Sequence, residues 1–350
     1  MSYPGSRLEV AKIAHVLGSD PSEFSFLAEV PAAVIRELRH ELLAATYRRH
    51  EARFERLAGV SKMVPPSVTA AIAQKALGPQ IAARVAGVLP VEDAVKIARH
   101  LEPEFIADMA PHLDPRRIGP LVAQLADDFI VDVGRLLLRR REWVTAARLV
   151  PVVALEPLTE LVGLIGGAEM LQIALYADEP ADLERVIDLL PDERLGSLVQ
   201  AMAISAHLDE AVMLVESLST TSVARILAQV AQQEAPVRNL FVDTVHRIRA
   251  WEAAIPGMSQ LPAETLPALA NVPATLDPQV MSMVIEAART LDRGPWLVLL
   301  LISLDDEHVE ALTQVPALQD PEMVAWIVDS VGASQRIVSA VLRDLGAAIA

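Results

Sequence analysis

The chain contains no cysteine, which excludes disulfides, a thiol nucleophile and any cysteine-ligated zinc. Lysine is scarce, with Lys12, Lys62, Lys75 and Lys96 the whole set; a GC-rich coding bias accounts for that as well as any function would. No long apolar run exists. The longest uncharged segment, Leu195 to Leu208, has fourteen residues and includes Ser197, Gln200, Ser205 and His207. A membrane helix needs ~18 or more. Gly294 to Ser303 is more apolar but is closed by Arg293 and Asp305. The first residues carry no apolar leader, so a cytoplasmic protein with no transmembrane segment is expected. Also missing are G-x-S-x-G, the phosphate-binding loop and the dinucleotide fingerprint, so no motif argues for an enzyme.

What is present is a hydrophobic, proline-rich and acidic chain. Its 350 residues are 52% hydrophobic with 24 prolines and a net charge of −16; the mean hydropathy is +0.34. Residues 1–150 carry 20 Lys+Arg against 18 Asp+Glu, a balance of +2, and residues 151–350 carry 10 against 28, or −18. The acidic part repels nucleic acid, so no nucleic-acid partner is expected. Arg139 to Arg141, Arg116-Arg117 and Arg48-Arg49 read as solvated helix faces.

The strongest pattern is a count of twelve. Leu89, Leu101, Leu113, Leu125 and Leu137 are evenly spaced. Twelve residues suit one short helix and a tight corner. Glu102-Pro103 and Asp114-Pro115 agree, because proline fits the first helical position and a carboxylate before it accepts free N–H groups. Further acidic-Pro starts occur at Asp20, Glu156, Glu179, Asp277 and Asp320. Within the unit, Ala94, Val95, Ile97, Ala98 and Leu101 sit at helical spacing. Leu190-Pro191-Asp192-Glu193 repeats the start, and Leu304-Asp305-Asp306-Glu307 is a weaker copy. A unit this short cannot bury its own apolar face, so neighbours must supply the core.

The Leu-Pro-x-Glu start, two apolar pairs and a closing leucine over residues 85–137, echoed at 186–202, resemble the cytoplasmic N-terminal superhelical domain of MgtE-type magnesium transporters. They are also similar to the helical repeats of flagellar motor switch proteins. The resemblance implies a fold and carries no functional residue. The fold expected is therefore all-α: a right-handed α-solenoid or superhelix of short helices, armadillo- or HEAT-like, preceded by a longer N-terminal helix.

Four segments follow along the chain. Residues 1–65 hold short helices at Arg7–Leu17 and Glu23–Glu29, then a long helix from Pro31. Its stripe is Val34, Ile35, Leu38, Leu42, Leu43, Tyr47, Phe54 and Leu57. Residues 66–254 form the repeat array, with Gly166-Gly167 as a helix stop. Residues 255–278, with prolines at 256, 262, 267, 273 and 278, form a connector of short turns or a lid, since proline disrupts a helix interior. Residues 279–350 form a C-terminal helical subdomain.

No catalytic residue, metal site or cofactor is assigned. His100 and His112 lie one repeat apart near Glu102 and Asp114, but neighbouring helix axes are ~8–10 Å apart, too far to share an ion. Glu37-x-x-His40 lacks the second pair and the extra glutamates of a di-metal bundle. Asp127-Asp128 and Asp305-Asp306 read as helix-start acids.

The chain is too apolar for a thin ribbon. Tryptophan and methionine gather beyond residue 240, so Phe241, Trp251, Met281, Met283, Trp296 and Trp326 are the candidate lining of an apolar groove or cavity, with the proline-rich connector near its mouth. The function expected is a non-enzymatic scaffold whose groove takes a protein partner. The alternative is an intracellular carrier of a hydrophobic small molecule such as a fatty acid, isoprenoid or sterol. A homo-oligomer is possible.

Overall fold

The computed structural model describes residues 5–330, apart from Lys62 and the side chains of residues 46–51, 60 and 61. Tyr47, the Arg48-Arg49 side chains and residues 331–350 lie outside the described set. The fold is all-α, with no strand among the described residues. Two compact units divide the chain, Met1–Leu189 and Leu190–Ala350.

Unit 1 contains α1 (Ser6–Leu17), the long α2 (Ala32–Ser61), α3 (Pro66–Ile72), α4 (Gly78–Ala86), α5 (Val91–Ala98), α6 (Pro103–Met109) and α7 (Pro115–Val122). It continues through α8 (Asp127–Arg139), α9 (Trp143–Leu149), α10 (Leu155–Gly163), α11 (Gly167–Leu175) and α12 (Pro180–Leu189). Unit 2 contains α13 (Asp192–Ala203), α14 (Leu208–Glu216), α15 (Thr220–Ala231), α16 (Ala235–Arg247), α17 (Trp251–Met258) and α18 (Leu266–Ala270). After these come α19 (Pro278–Thr290), α20 (Gly294–Ile302), α21 (Asp306–Ala311) and a helical run at 321–330.

Helices α5 to α8 begin at residues 91, 103, 115 and 127, and the chain turns from helix to helix at one repeating point. Pro90, Glu102, Asp114 and Ala126 are all extended, with ψ of 137°, 140°, 109° and 140°. The spaced leucines stand just before them. The N–H groups of Leu101, Leu113 and Leu125 donate to the carbonyls of Ala98, Ala110 and Val122 at 3.0–3.2 Å, so each leucine closes a helix and tucks inward. Leu101 and Leu113 are buried, whereas Leu89 and Leu125 are half-buried. Leu137 is buried inside α8, where a longer helix breaks the count.

Alternate helices pack on one another. In unit 1, α3, α5 and α7 form one series, α4, α6, α8, α10 and α12 another, and α9 packs on α11. In unit 2 the series are α13, α15, α17, α19 and α14, α16, α18, α20. That is the packing order of a helical solenoid, in which each element is buried by neighbours rather than by itself.

The acidic-Pro starts divide by side-chain length. Asp20, Asp114, Asp277 and Asp320 each accept a hydrogen bond from the N–H two residues on, at 2.8–3.1 Å. Glu102 makes no such cap, and Glu156 sits inside the first turn of α10. Aspartate closes the ring; one more methylene overshoots it. Gly166-Gly167 starts a helix rather than stopping one, for Gly166 precedes α11 and its N–H donates to Glu169 at 3.1 Å.

Three helices of thirteen residues, α8, α16 and α19, stop in a left-handed residue: Arg141 (φ 59°), Arg249 (φ 63°) and Asp292 (φ 51°). The following N–H reaches back five residues in each case, Glu142 to Leu137, Ala250 to Val245 and Arg293 to Ala288, at 2.8–3.0 Å, the bond of a helix-terminating motif. Part of the arginine run at 139–141 is therefore a helix end.

The proline-rich segment is helical for longer than expected. Pro256 lies within α17, and short turns follow at Ala263–Thr265 and Pro273–Leu276 on either side of α18. Ile255, Leu266, Leu269 and Val272 are all buried, so this segment is core. The stripe assigned to α2 is a correction. Ile35 is buried and Leu42, Leu43 and Phe54 are half-buried, but Val34, Leu38 and Leu57 are exposed, and the inward side of α2 is shared with Arg39, which is also buried.

Candidate functional site

Arginines fasten the corners of the array. Arg148 on α9 donates to the carbonyls of Pro111 and Leu113 at 3.2 and 2.9 Å. Arg185 on α12 donates to Val150 and Val153 at 2.8 and 2.7 Å. In unit 2, Arg225 on α15 donates to the Leu190 carbonyl at 2.6 Å and to Asp192 at 3.0 Å. Each satisfies carbonyls left free where a helix ends, and each opposes the negative helix end with a fixed positive charge. The sequence showed no sign of this ladder, because its partners are some 35 residues away.

A buried ionic cluster holds the N-terminal helices to the body of unit 1. Lys12 donates to Glu9 Oε1 (2.9 Å), the Ala177 carbonyl (3.0 Å) and Asp178 Oδ1 (3.0 Å). Arg39 bridges Glu9 Oε2 at 3.3 Å and Asp178 Oδ1 at 2.6 Å. Arg36 adds a bond to Glu9 at 3.2 Å. Glu9, Lys12 and Arg39 are at most 2% exposed. Burial alone would raise the Asp178 pKa, but the charges and hydrogen bonds of Lys12 and Arg39 outweigh it and hold the carboxyl at about 2. On the same helix, His15 Nε2 lies 2.9 Å from Thr145 Oγ1. Burial, with the positive charge of Arg148 and the neighbouring His112, lowers His15 to about 4. The imidazole is therefore neutral at physiological pH.

Beside the Thr145 and Ala177 anchor points lies an apolar cavity of about 160 Å³. Its walls come from helices α6 to α12 and include Leu113, Phe129, Ala147, Val150, Leu161 and Leu183. Asp182 is the one charged side chain in the lining. A second cavity of about 200 Å³ adjoins it and is lined by α3 to α7 with Leu57 of α2. Ile106, Leu113, Ile118, Val122 and Leu125 line both and so form a shared wall of aliphatic side chains.

Unit 2 holds a smaller cavity of about 70 Å³. Phe241, Trp251 and Met281 line it, and the proline-rich segment contributes Met258, Leu269 and Thr275. Of the other residues proposed from sequence, Met283, Trp296 and Trp326 do not line it. Met283 is half-buried and Trp296 is buried. Trp326 lies against the start of α20, where a Cβ on Gly294 would meet its ring at 3.3 Å. The structure therefore brings together three of the six candidates.

Among the described residues, no three histidine, aspartate or glutamate side chains are grouped to hold a metal ion, and no helix is long and apolar enough to cross a membrane. His308 is engaged structurally, between Asp305 Oδ1 (2.6 Å) and the Val272 carbonyl (3.1 Å). No family model, curated protein or solved structure matches this chain, so no comparison ties it to the magnesium transporter or motor switch domains.

Proposed function

We propose that the chain is a non-enzymatic binding protein that carries a hydrophobic small molecule in the interior of unit 1. The observation behind this reading is the pair of adjoining cavities, whose lining is aliphatic and aromatic apart from Asp182, Gly134 and Thr69. Water gains little in such a space, so an apolar occupant that replaces it is favoured. The test is organic extraction of the purified protein followed by mass spectrometry, with displacement of an environment-sensitive dye by short-chain lipids. A single class of co-purifying molecule and near-stoichiometric dye binding are expected. An empty extract together with no binding of any apolar probe would overturn the reading.

A second reading is a scaffold for a protein partner or a second copy. It draws on large apolar side chains exposed in unit 2, chiefly Ile204 at 88% and Ile302 at 74%, which stand at the ends of α13 and α20. Sedimentation of the isolated protein separates the two: a stable dimer weakened by Ile204→Ser supports the second.

A further inference from the structure

We propose that the unit 1 cavity selects a ligand with one cationic amine on an apolar chain, and that Asp182 is the group that recognises it. This rests on the small-molecule reading above and goes on to name the head group.

The argument starts from position. Asp182 is in the first turn of α12, only 9% exposed, and lines the cavity among Ala177, Leu183 and Val186. The Glu179 backbone favours its charged form, and a carboxylate, with about four lone-pair sites, keeps acceptor capacity for a ligand. Asp182 contributes from α12, whereas the wall shared with the second cavity is built by α6, α7 and the corners beside them. A polar head at Asp182 thus lets an apolar tail run through the cavity toward that wall.

The sign of the charge decides the head group. Asp178 and Glu179 both add negative potential at Asp182. Arg185, which acts on Asp182 from the same helix, is committed to the carbonyls of Val150 and Val153, and Lys12 and Arg39 are bound to Glu9 and Asp178. An anionic head such as a fatty-acid carboxylate would face the like charge of Asp182 itself and of Glu179. A neutral alcohol would gain one hydrogen bond. A protonated amine would gain a charge-assisted hydrogen bond in a low-dielectric space, where that contact is strongest. Burial already raises the Asp182 pKa, and a bound cation would oppose that shift by favouring the ionised form.

The experiment uses the full-length protein and three probes of one chain length: octylamine, octanol and octanoate. Binding is measured by calorimetry near neutral pH for wild type and Asp182→Asn. The expected order is octylamine tightest, octanol weaker and octanoate weakest. Asp182→Asn should weaken octylamine by about tenfold or more and leave octanol unchanged, which also shows that the variant is folded and its cavity intact. Equal binding of all three probes, or an octylamine affinity unaffected by Asp182→Asn, would overturn the proposed selectivity while leaving the cavity reading in place. Failure of all three to bind would overturn both.

Discussion

Unit 1 and unit 2 share a packing order but fill their interiors differently. In unit 2 a cavity of about 70 Å³ has Phe241, Trp251, Met202, Met258 and Met281 converging on it. In unit 1 the linings are mainly alanine, valine, leucine and isoleucine, with Phe129 the one aromatic, and the cavities are about 160 and 200 Å³. Large and adaptable side chains close space; short branched ones on regularly spaced helices leave it open. A concentration of tryptophan and methionine is therefore a sign of filling, and of these three cavities the two larger lie where such residues are few. Unit 1 also differs in how its ends are tied, with α1 and α2 held by the Glu9–Lys12–Arg39–Asp178 cluster.

The largest effect that would test this contrast is at Arg39. Arg39→Ala removes a buried cation shared by Glu9 and Asp178 and leaves Lys12 as the one buried cation between them, which should cost up to about 3–5 kcal/mol. Hydrogen exchange should show the loss of protection in unit 1. An equal loss throughout unit 2 would break the view that the cluster serves unit 1 alone.

Acid should loosen the same region in two stages. His15 is lowered from 6.5 to about 4, so folding favours its neutral form. The stability tied to it is complete above pH 6.5 and is lost as pH falls toward 4, at most about 3 kcal/mol and less with solvent screening. His40 and His112 shift in the same direction. Asp178, lowered from 3.8 to about 2, contributes above pH 3.8, and about 2 kcal/mol is lost as pH falls to 2. Denaturant midpoints measured against pH should fall over both windows, and His15→Gln should reduce the first slope. A His15→Gln profile identical to wild type would show that another group controls it.

Packing substitutions should have opposite signs in the two units. A Cβ at Gly257 would lie 2.5 Å from Val223 Cγ1 and 3.1 Å from the Ala224 nitrogen, where α17 crosses α15. Gly257→Ala should therefore destabilise unit 2 by about 1–3 kcal/mol. Val150→Ile adds one methylene beside the unit 1 cavity and should stabilise by up to about 0.8 kcal/mol. Thermal melts of both variants check this. Destabilisation by Val150→Ile would mean that the cavity is not accessible to a larger side chain at that point.

Local features were legible where the chemistry is local. The Asp-Pro starts at 20, 114, 277 and 320 act between residues two apart, and the corner leucines are fixed by the length of one helix and one turn. The α2 stripe was misread in part because helical spacing identifies a face without saying what covers it, and Arg39 took an inward position through Glu9 on α1 and Asp178 between α11 and α12. Of the candidate site, Phe241, Trp251 and Met281 could be found from composition. Asp182 could not, because in sequence it is one more acid in a helix's first turn.

The sequence by itself determined an all-α chain, the twelve-residue rhythm from Leu89 to Leu125 and the long N-terminal helix, since hydrophobic periodicity, proline and short-range capping act within a few residues. Only the tertiary structure decided that Arg148, Arg185 and Arg225 cap corners some 35 residues away, that Lys12 and Arg39 share Asp178, and that two cavities in unit 1 share a wall. Buried charge is tolerated only where distant partners converge, and a void is the volume left over when all the neighbours have been placed.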